Sequence, residues 1–350
     1  MAETPRIYFL NQAEQTLEWF LRGPSKARAE ELGWEIRVND TGGPIERERW
    51  AEIIADADAL LTTWGSPKVD SELLAHNESL QIIGHVGGSV APYIADEVFD
   101  RGVRVTTANT FMARSCAEQC IMLMLMGIRR AHLKLKLGTR SEPMNWGKDW
   151  EIRAPEHCVI GIWGFGDIAG WVLSMLRPME PREVIVASGH LSAEDAAEKG
   201  MRKVEFDELF AQADVIFTLA GMTVENTGRV GPEQLASIKD GAVLINIGRA
   251  PLIQPEALVE ELRKGRFTGI FDVFEKEPLP EDHPLNELPN VILSPHFAGT
   301  GRDAHYLAAM LDEIDRCRRG EPLRYEVFGS RARQMTDMDA VRAAQRATRQ

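Results

Sequence analysis

A chain of 350 residues is long enough for two domains, and its 44% of hydrophobic residues can fill two cores. The formal net charge of −13 argues against a nucleic-acid partner, whose phosphates need a basic surface, and against an anionic membrane face. An anionic substrate would have to be drawn in by a few local cations and backbone N–H groups, against the overall field.

The four cysteines, Cys116, Cys120, Cys158 and Cys317, form no CxxC pair and read as reduced core thiols of a cytosolic protein, with no metal site expected. The opening MAETPRIYFL lacks a basic start followed by a long apolar run, so it does not read as a secretion signal. The longest unbroken apolar stretch, IMLMLMGI, falls short of the roughly 20 residues that span a bilayer. A soluble, cytoplasmic protein is expected.

Taken in chain order, short β-branched runs alternate with helix-like stretches, the pattern of parallel sheets with crossover helices. The first part offers strands at 6–10, 34–38, 59–64, 80–84 and 103–107. The second offers 159–163, 183–187, 214–219, 242–247, 268–273 and 291–295. Between them, 115–135 predicts one long apolar helix, followed by a polar, Trp-containing loop at 138–156. The stretch from 329 onward is polar and Arg-rich, which predicts a frayed helix or a disordered tail.

The strand VIGIW runs directly into Gly164-Phe165-Gly166-Asp167-Ile168-Ala169-Gly170 and then into the helical pattern WVLSMLRPM. Strand, GxGxxA turn and helix start are what a dinucleotide pyrophosphate needs. Gly164 permits the turn, Gly166 lets backbone approach the phosphates, and small Ala169 lets helix and strand pack closely. Asp167, beside the expected phosphates, is an unusual charge there. The next strand, EVIVA, ends at Ala187-Ser188-Gly189-His190 with no Asp or Glu to accept ribose hydroxyls. Ser188 and His190 are the donors available to a 2′-phosphate, so the cofactor is NAD or NADP.

Three further strand ends carry polar residues: NIGRA (246–250), FDVFEKEP (271–278) and LSPHFAG (293–299). In a parallel sheet the C-terminal strand ends converge on the ligand crevice, so Arg249, Asp272, Glu277 and His296 would face the same crevice as the glycine loop. Taken singly, Arg249 is an ordinary surface cation, Glu277 a solvated loop carboxylate and His296 a loop histidine.

Together these segments resemble the D-2-hydroxyacid dehydrogenase family, which includes D-3-phosphoglycerate dehydrogenases and glyoxylate/hydroxypyruvate reductases. The resemblance covers about residues 60–323. It rests on LQIIGHVGGSV, SCAE, GIWGFGDIAG, ADVIFTLAGMTVENTG, LINIGRA, FDVFEKEPLPEDHPL and NVILSPHFAG, in that order and spacing. It implies that Arg249 holds the substrate carboxylate and keto oxygen. His296 exchanges a proton with that oxygen, and Glu277 fixes the imidazole tautomer and stabilises the imidazolium. Asp272 matches the nicotinamide-carboxamide position. Ala220, Ile247, Gly248, Ala298 and Gly299 match cofactor-lining positions. Val86, Gly87 and Gly88, with Ser89, match the loop whose N–H groups receive the substrate carboxylate. Thr63, Trp64, His85 and Tyr93 are candidate walls of the substrate pocket. The chain departs from the family pattern at Asp167, usually Arg or His, at Ser188 for an acid, and at Ala250 for Gly.

The implied fold is two Rossmann-like/flavodoxin-like parallel-sheet α/β domains. Residues 1–104 form the first segment of the substrate domain, 105–298 the NAD(P)-binding domain, 299–330 the returning segment and 331–350 a polar tail. The implied activity is hydride exchange between a D-2-hydroxy acid and its 2-keto acid with NAD or NADP, in a cytoplasmic homodimer joined through the cofactor domain, with no nucleic-acid or membrane partner. The alternative is a non-enzymatic NAD(H)-binding scaffold, as in the C-terminal-binding-protein corepressors, which keep the same Arg, Glu and His. It requires a peptide-binding cleft of which the first 100 residues give no sign. A Rossmann enzyme of another class, such as a methyltransferase, has no need for the three residues to converge.

Overall fold

The apolar runs become strands, and every pair of named strands runs parallel. The structure, a computed structural model, describes residues 4–11, 14–39, 45–134, 152–337 and 341. It separates into two units: Met1–Ala113 with Thr300–Gln350, and Arg114–Gly299.

The first unit holds β1 (Ile7–Leu10), β2 (Ile36–Arg37), β3 (Ala59–Thr62), β4 (Ile82–His85) and β5 (Arg104–Thr107), in the order β2-β1-β3-β4-β5. The two-residue period of a strand sends neighbours to opposite faces. Ile7 and Phe9 therefore pack with Leu307, Met310 and Ile314 of the helix Tyr306–Arg318, while Tyr8 and Leu10 pack with Trp50 and Ile54 on the other face. Each such large side chain contributes about 1.5–3 kcal/mol when fully buried.

On the same helix the buried Glu313 accepts the backbone N–H groups of Arg324 (2.8 Å) and Tyr325 (3.0 Å), turning the chain back along β5. There Arg104 grips Glu326 with both arms of its guanidinium at 2.9 Å, and Val327 N–H donates to Val105 C=O at 2.8 Å. The boundary expected after residue 104 is thus misplaced: β5 is the edge strand of this sheet, and the chain leaves the unit inside the helix Asn109–Ile128.

The tail also departs from expectation. Ala332 and Val341 are buried, Met335 packs against the same core cluster as Tyr93, and Arg333 meets Asp96 at 3.1 Å. Sparse apolar residues spaced through a polar sequence were enough to dock it. Residues 338–340 and 342–350 lie outside the described residues.

The second unit holds β6 (Val159–Trp163), β7 (Glu183–Ala187), β8 (Arg202–Lys203), β9 (Val215–Thr218), β10 (Val243–Asn246), β11 (Thr268–Phe271) and β12 (Val291–Leu293), in the order β12-β11-β10-β9-β6-β7-β8. Strand order reverses between β6 and β9, where an open parallel sheet forms its ligand crevice. The edge strand β8 is two exposed polar residues paired with Ile185 and Val186, so no hydrophobic run announces it.

The long helix starts at Asn109 rather than 115 and ends at Ile128. Arg130 then adopts a left-handed φ of 49°, and Ala131–Lys134 is a separate turn. Asn109–Ile128 is long and apolar enough to cross a membrane, yet 61% of its most apolar window is buried, with Ala117, Cys120 and Met124 fully enclosed. Residues 135–151, which include most of the loop expected at 138–156, lie outside the described residues.

His85 closes β4 with no exposed surface. Its Nδ1 lies 3.0 Å from the Thr62 hydroxyl and its ring stacks on Tyr93 with centroids 5.0 Å apart. Nε2 meets no partner among the described residues. Burial pushes its pKa down from 6.5 to about 3. Between those values the unfolded chain binds a proton that the folded chain refuses, so this group costs stability as pH falls from 6.5 towards 3. We expect urea unfolding across that window to show an acid limb, with a slope of up to about 1.4 kcal/mol per pH unit from this one group. His85→Phe should flatten it; an unaltered limb would mean His85 protonates freely in the folded protein.

Candidate active site

In the second unit the glycine loop leaves β6 at the point of strand reversal. Gly164 has φ +89°, and a Cβ there would lie 2.5 Å from Ala220 Cα, so the turn and the end of β9 fit together only with glycine at 164. Gly164 N–H donates to Ala187 C=O at the end of β7 (2.9 Å), joining three strand ends. A Cβ at Gly166 would meet nothing within 4 Å, and the helix Asp167–Leu176 that follows has no side-chain cap. Phe165 and Ile168 are half-buried and Ala169 is fully buried against the strand. Asp167 is the first residue of this helix, where the positive end of the dipole favours a carboxylate. Ser188 is half-buried just past β7, and its hydroxyl accepts from His190 N–H at 3.4 Å.

The turn after β10 is fixed by Asn246, a residue the sequence did not single out. Its amide accepts from Gly248 N–H (3.1 Å) and donates to Arg249 C=O (3.0 Å), while it is itself 1% exposed. An Asn at a strand end that bonds its own backbone two or three residues on is a known turn-former, and that was the available signal. Ile247, between them, is buried. The Arg249 guanidinium donates to its own neighbour's carbonyl, Gly248, at 2.7 Å. Among the described residues no carboxylate forms an ion pair with it. Burial lowers its pKa, partly offset by the nearby Cys116 and Glu277. Cys116 was also missed as a site neighbour. Burial pushes its thiol up to about 12, so it stays neutral beside Arg249 and does not compete for the cation.

The third group centres on Asp272, which has no exposed surface. One carboxylate oxygen accepts the Ser294 hydroxyl and Phe297 N–H (3.3 Å), and the other accepts Ala298 N–H at 3.1 Å. The residue expected to meet the nicotinamide is therefore engaged by the loop that carries His296. That loop holds His296 at φ +53°, a left-handed conformation that costs a side-chain-bearing residue about 1 kcal/mol or more. Its Nδ1 lies 2.7 Å from Glu277 Oε2, while Glu277 Oε1 accepts Phe274 N–H at 3.0 Å. Burial pushes the Glu277 pKa up, but the bonds from His296 and Phe274 and the charges of His296 and Arg249 outweigh it, and the net shift is downward. An ionised Glu277 leaves the Nδ1 position as donor and Nε2 as the nitrogen that can exchange a proton. Gly299 follows the buried Ala298 at the end of the unit.

In the first unit the loop after β4 is held by its carbonyls. Val86 C=O accepts the Thr63 hydroxyl (2.8 Å), and the Thr107 hydroxyl lies 3.0 Å from Gly87 C=O and 2.7 Å from Gly88 C=O. Val86 N–H is spent on Thr62 C=O and Gly87 N–H on His85 C=O. A Cβ at Gly87 would sit 2.7 Å from His85 Nε2, so the imidazole excludes any side chain there. The N–H groups of Gly88 and Ser89 meet no acceptor among the described residues. The loop is left with donors and no free carbonyl from 86 to 88, the polarity an anion requires.

Residues 121–298 match the family model described as D-isomer specific 2-hydroxyacid dehydrogenase, NAD binding domain. The chain is 31% identical over 258 residues to a glyoxylate/hydroxypyruvate reductase B from Pectobacterium carotovorum subsp. carotovorum (strain PC1), covering 72% of this chain and 79% of that one. It is also 31% identical over 301 residues to the D-3-phosphoglycerate dehydrogenase of Archaeoglobus fulgidus, covering 84% of this chain and 55% of that longer one. Among solved structures, a phosphoglycerate oxidoreductase from Rhizobium etli shares the fold, with a TM-score of 0.77 over 92% of this chain and 97% of its own at 23% identity. The glycine loop at the strand reversal, the two parallel sheets and these relatives agree: the chain belongs to the D-isomer-specific 2-hydroxyacid dehydrogenase family.

Proposed function

We propose that this protein interconverts a D-2-hydroxy acid and its 2-keto acid by NAD(P)-dependent hydride transfer, with His296 as the acid–base group. The observation that carries the reading is the His296–Glu277 pair at 2.7 Å, in the same unit as a partly buried arginine with no carboxylate partner among the described residues. The relatives' names point to a small 2-keto acid such as hydroxypyruvate, whose reduction creates a stereocentre, as the substrate.

The residues present fit a dinucleotide. The uncapped helix Asp167–Leu176 supplies backbone donors, and Gly166 leaves open space before it. No carboxylate occurs from 187 to 192, so nothing at the end of β7 repels a 2′-phosphate, and NADP is accepted as well as NAD. The bound cofactor supplies or takes the hydride. Gly164, Phe165, Gly166, Asp167 and Ile168 would hold its phosphates, Ser188 its ribose, and Ala220, Ile247, Gly248, Ala298 and Gly299 its nicotinamide half. Asp272, the position expected to meet the carboxamide, is enclosed and would act through the Phe297 and Ala298 amides that it holds. Arg249 polarises the keto oxygen and pairs with the carboxylate through its planar fork, and the amides of Gly88 and Ser89 form a carboxylate receptor. In reduction, His296 Nε2 gives its proton to the keto oxygen and Glu277 stabilises the imidazolium before that transfer; oxidation runs the same steps backward. The protein acts as a cytoplasmic homodimer, with the exposed Met122 and Leu133 as apolar contacts.

The test is absorbance-monitored oxidation of NADH and NADPH against a panel of 2-keto acids. His296→Ala should lower kcat by about 10²–10⁴-fold, the range of a lost proton donor, with the dissociation constant of the reduced cofactor little changed. Near-normal kcat would remove His296 from the chemistry. Gly164→Ala should act on the other half of the site. With φ at +89° and no room for a Cβ, we expect cofactor binding weakened by about tenfold or more in a fluorescence titration. Wild-type affinity in that variant would dissociate the glycine loop from the cofactor.

A further inference from the structure

We propose that Ser89 is a positioning residue for substrate binding, and that the C-terminal segment 329–337 is the support it works through. This rests on the reading that the Gly88 and Ser89 amides receive the substrate carboxylate.

Up to Gly88 the loop is anchored from inside the sheet, by Thr62, Thr63 and Thr107. Beyond Gly88 the anchors change. The Ser89 hydroxyl donates to the backbone carbonyl of Thr336 at 2.7 Å and accepts Ala91 N–H at 3.3 Å. The partner of the Ser89 hydroxyl is thus a carbonyl 247 residues along the chain, while the next residue, Val90, is buried and its C=O accepts the N–H groups of Tyr93 and Ile94. The Thr336 carbonyl is itself held in place. The short helix Gly329–Ala332 buries Ala332, Met335 packs on the same core cluster as Tyr93, and Arg333 meets Asp96 at 3.1 Å on the helix following the loop.

Two amides can grip one carboxylate only if both point at it. Gly88 is secured through its own carbonyl by Thr107, whereas Ser89 is secured through its side chain by the tail. Freeing the Ser89 side chain loosens the aim of its amide between the fixed Gly88 and Val90, which weakens carboxylate binding while His296, Glu277 and the glycine loop, all in the other unit, keep their own bonds. The arrangement therefore predicts an effect on substrate KM rather than on hydride transfer or cofactor affinity.

Two variants test this: Ser89→Ala, and a chain ending at Gln334, which removes the Thr336 carbonyl but keeps Ala332. With the 2-keto acid the unaltered protein reduces best, Ser89→Ala should raise KM about fivefold, the effect of one ordinary hydrogen bond, with kcat changed by less than about twofold. The shortened chain should raise KM by at least as much. Fluorescence titration with NADH and NADPH should give unaltered dissociation constants for both. Should the shortened chain fail to fold, Ser89→Ala decides alone. Wild-type KM in Ser89→Ala overturns the proposal, as does a loss confined to kcat or shared equally by cofactor affinity. If the unaltered protein reduces no 2-keto acid with either cofactor, the underlying reading falls, and the proposal with it.

Discussion

A carboxylate removed from water must find hydrogen bonds or it destabilises the fold. Asp272, with no exposed surface, finds them in one short loop: the Ser294 hydroxyl and the amides of Phe297 and Ala298. The bonds lie on both sides of His296, so the loop cannot relax without orphaning the carboxylate. That constraint can hold a histidine in a left-handed conformation, which an unanchored loop would abandon. From there Nδ1 meets Glu277 at 2.7 Å.

A second regularity runs through both units: acceptors are consumed and donors are left over. The carbonyls of Val86, Gly87 and Gly88 are covered by two threonine hydroxyls, while the amides of Gly88 and Ser89 have no partner among the described residues. The helix Asp167–Leu176 begins without a side-chain cap. Arg249 satisfies one N–H on a neighbouring carbonyl and keeps the rest of its fork. In a chain of net charge −13, local surpluses of donors are what an anionic ligand would need against the general field.

The sheets were legible because their signal is local. Strands β1, β6 and β7 lie within the apolar runs that mark them, and GxGxxA between strand and helix carries its own steric reason, visible at Gly164 and Ala220. Arg249, Glu277 and His296 could be grouped from sequence because strand ends of a parallel sheet converge. What was missed depends on contacts distant in sequence. Strand β8 has no hydrophobic run and exists by pairing with β7. The place of β5 is decided by its pairing with β4 and by a segment that returns at Glu326. The tail looked solvated because Ala332, Met335 and Val341 are sparse in a polar stretch, and only the surface they meet makes them a docking face. Asn246 and Asp272 were visible as residues, but their work as backbone clamps lies in bonds no motif records.

The central claim is hydride exchange at the carbon bearing the hydroxyl of a D-2-hydroxy acid, and its most direct test is stereochemical. Each enantiomer of a set of short 2-hydroxy acids would be offered with NAD and with NADP, and formation of the reduced cofactor followed by absorbance. Reduced cofactor formed from at least one D enantiomer and from none of the L enantiomers is the predicted result. Oxidation of the L enantiomers, or of neither, would contradict the account.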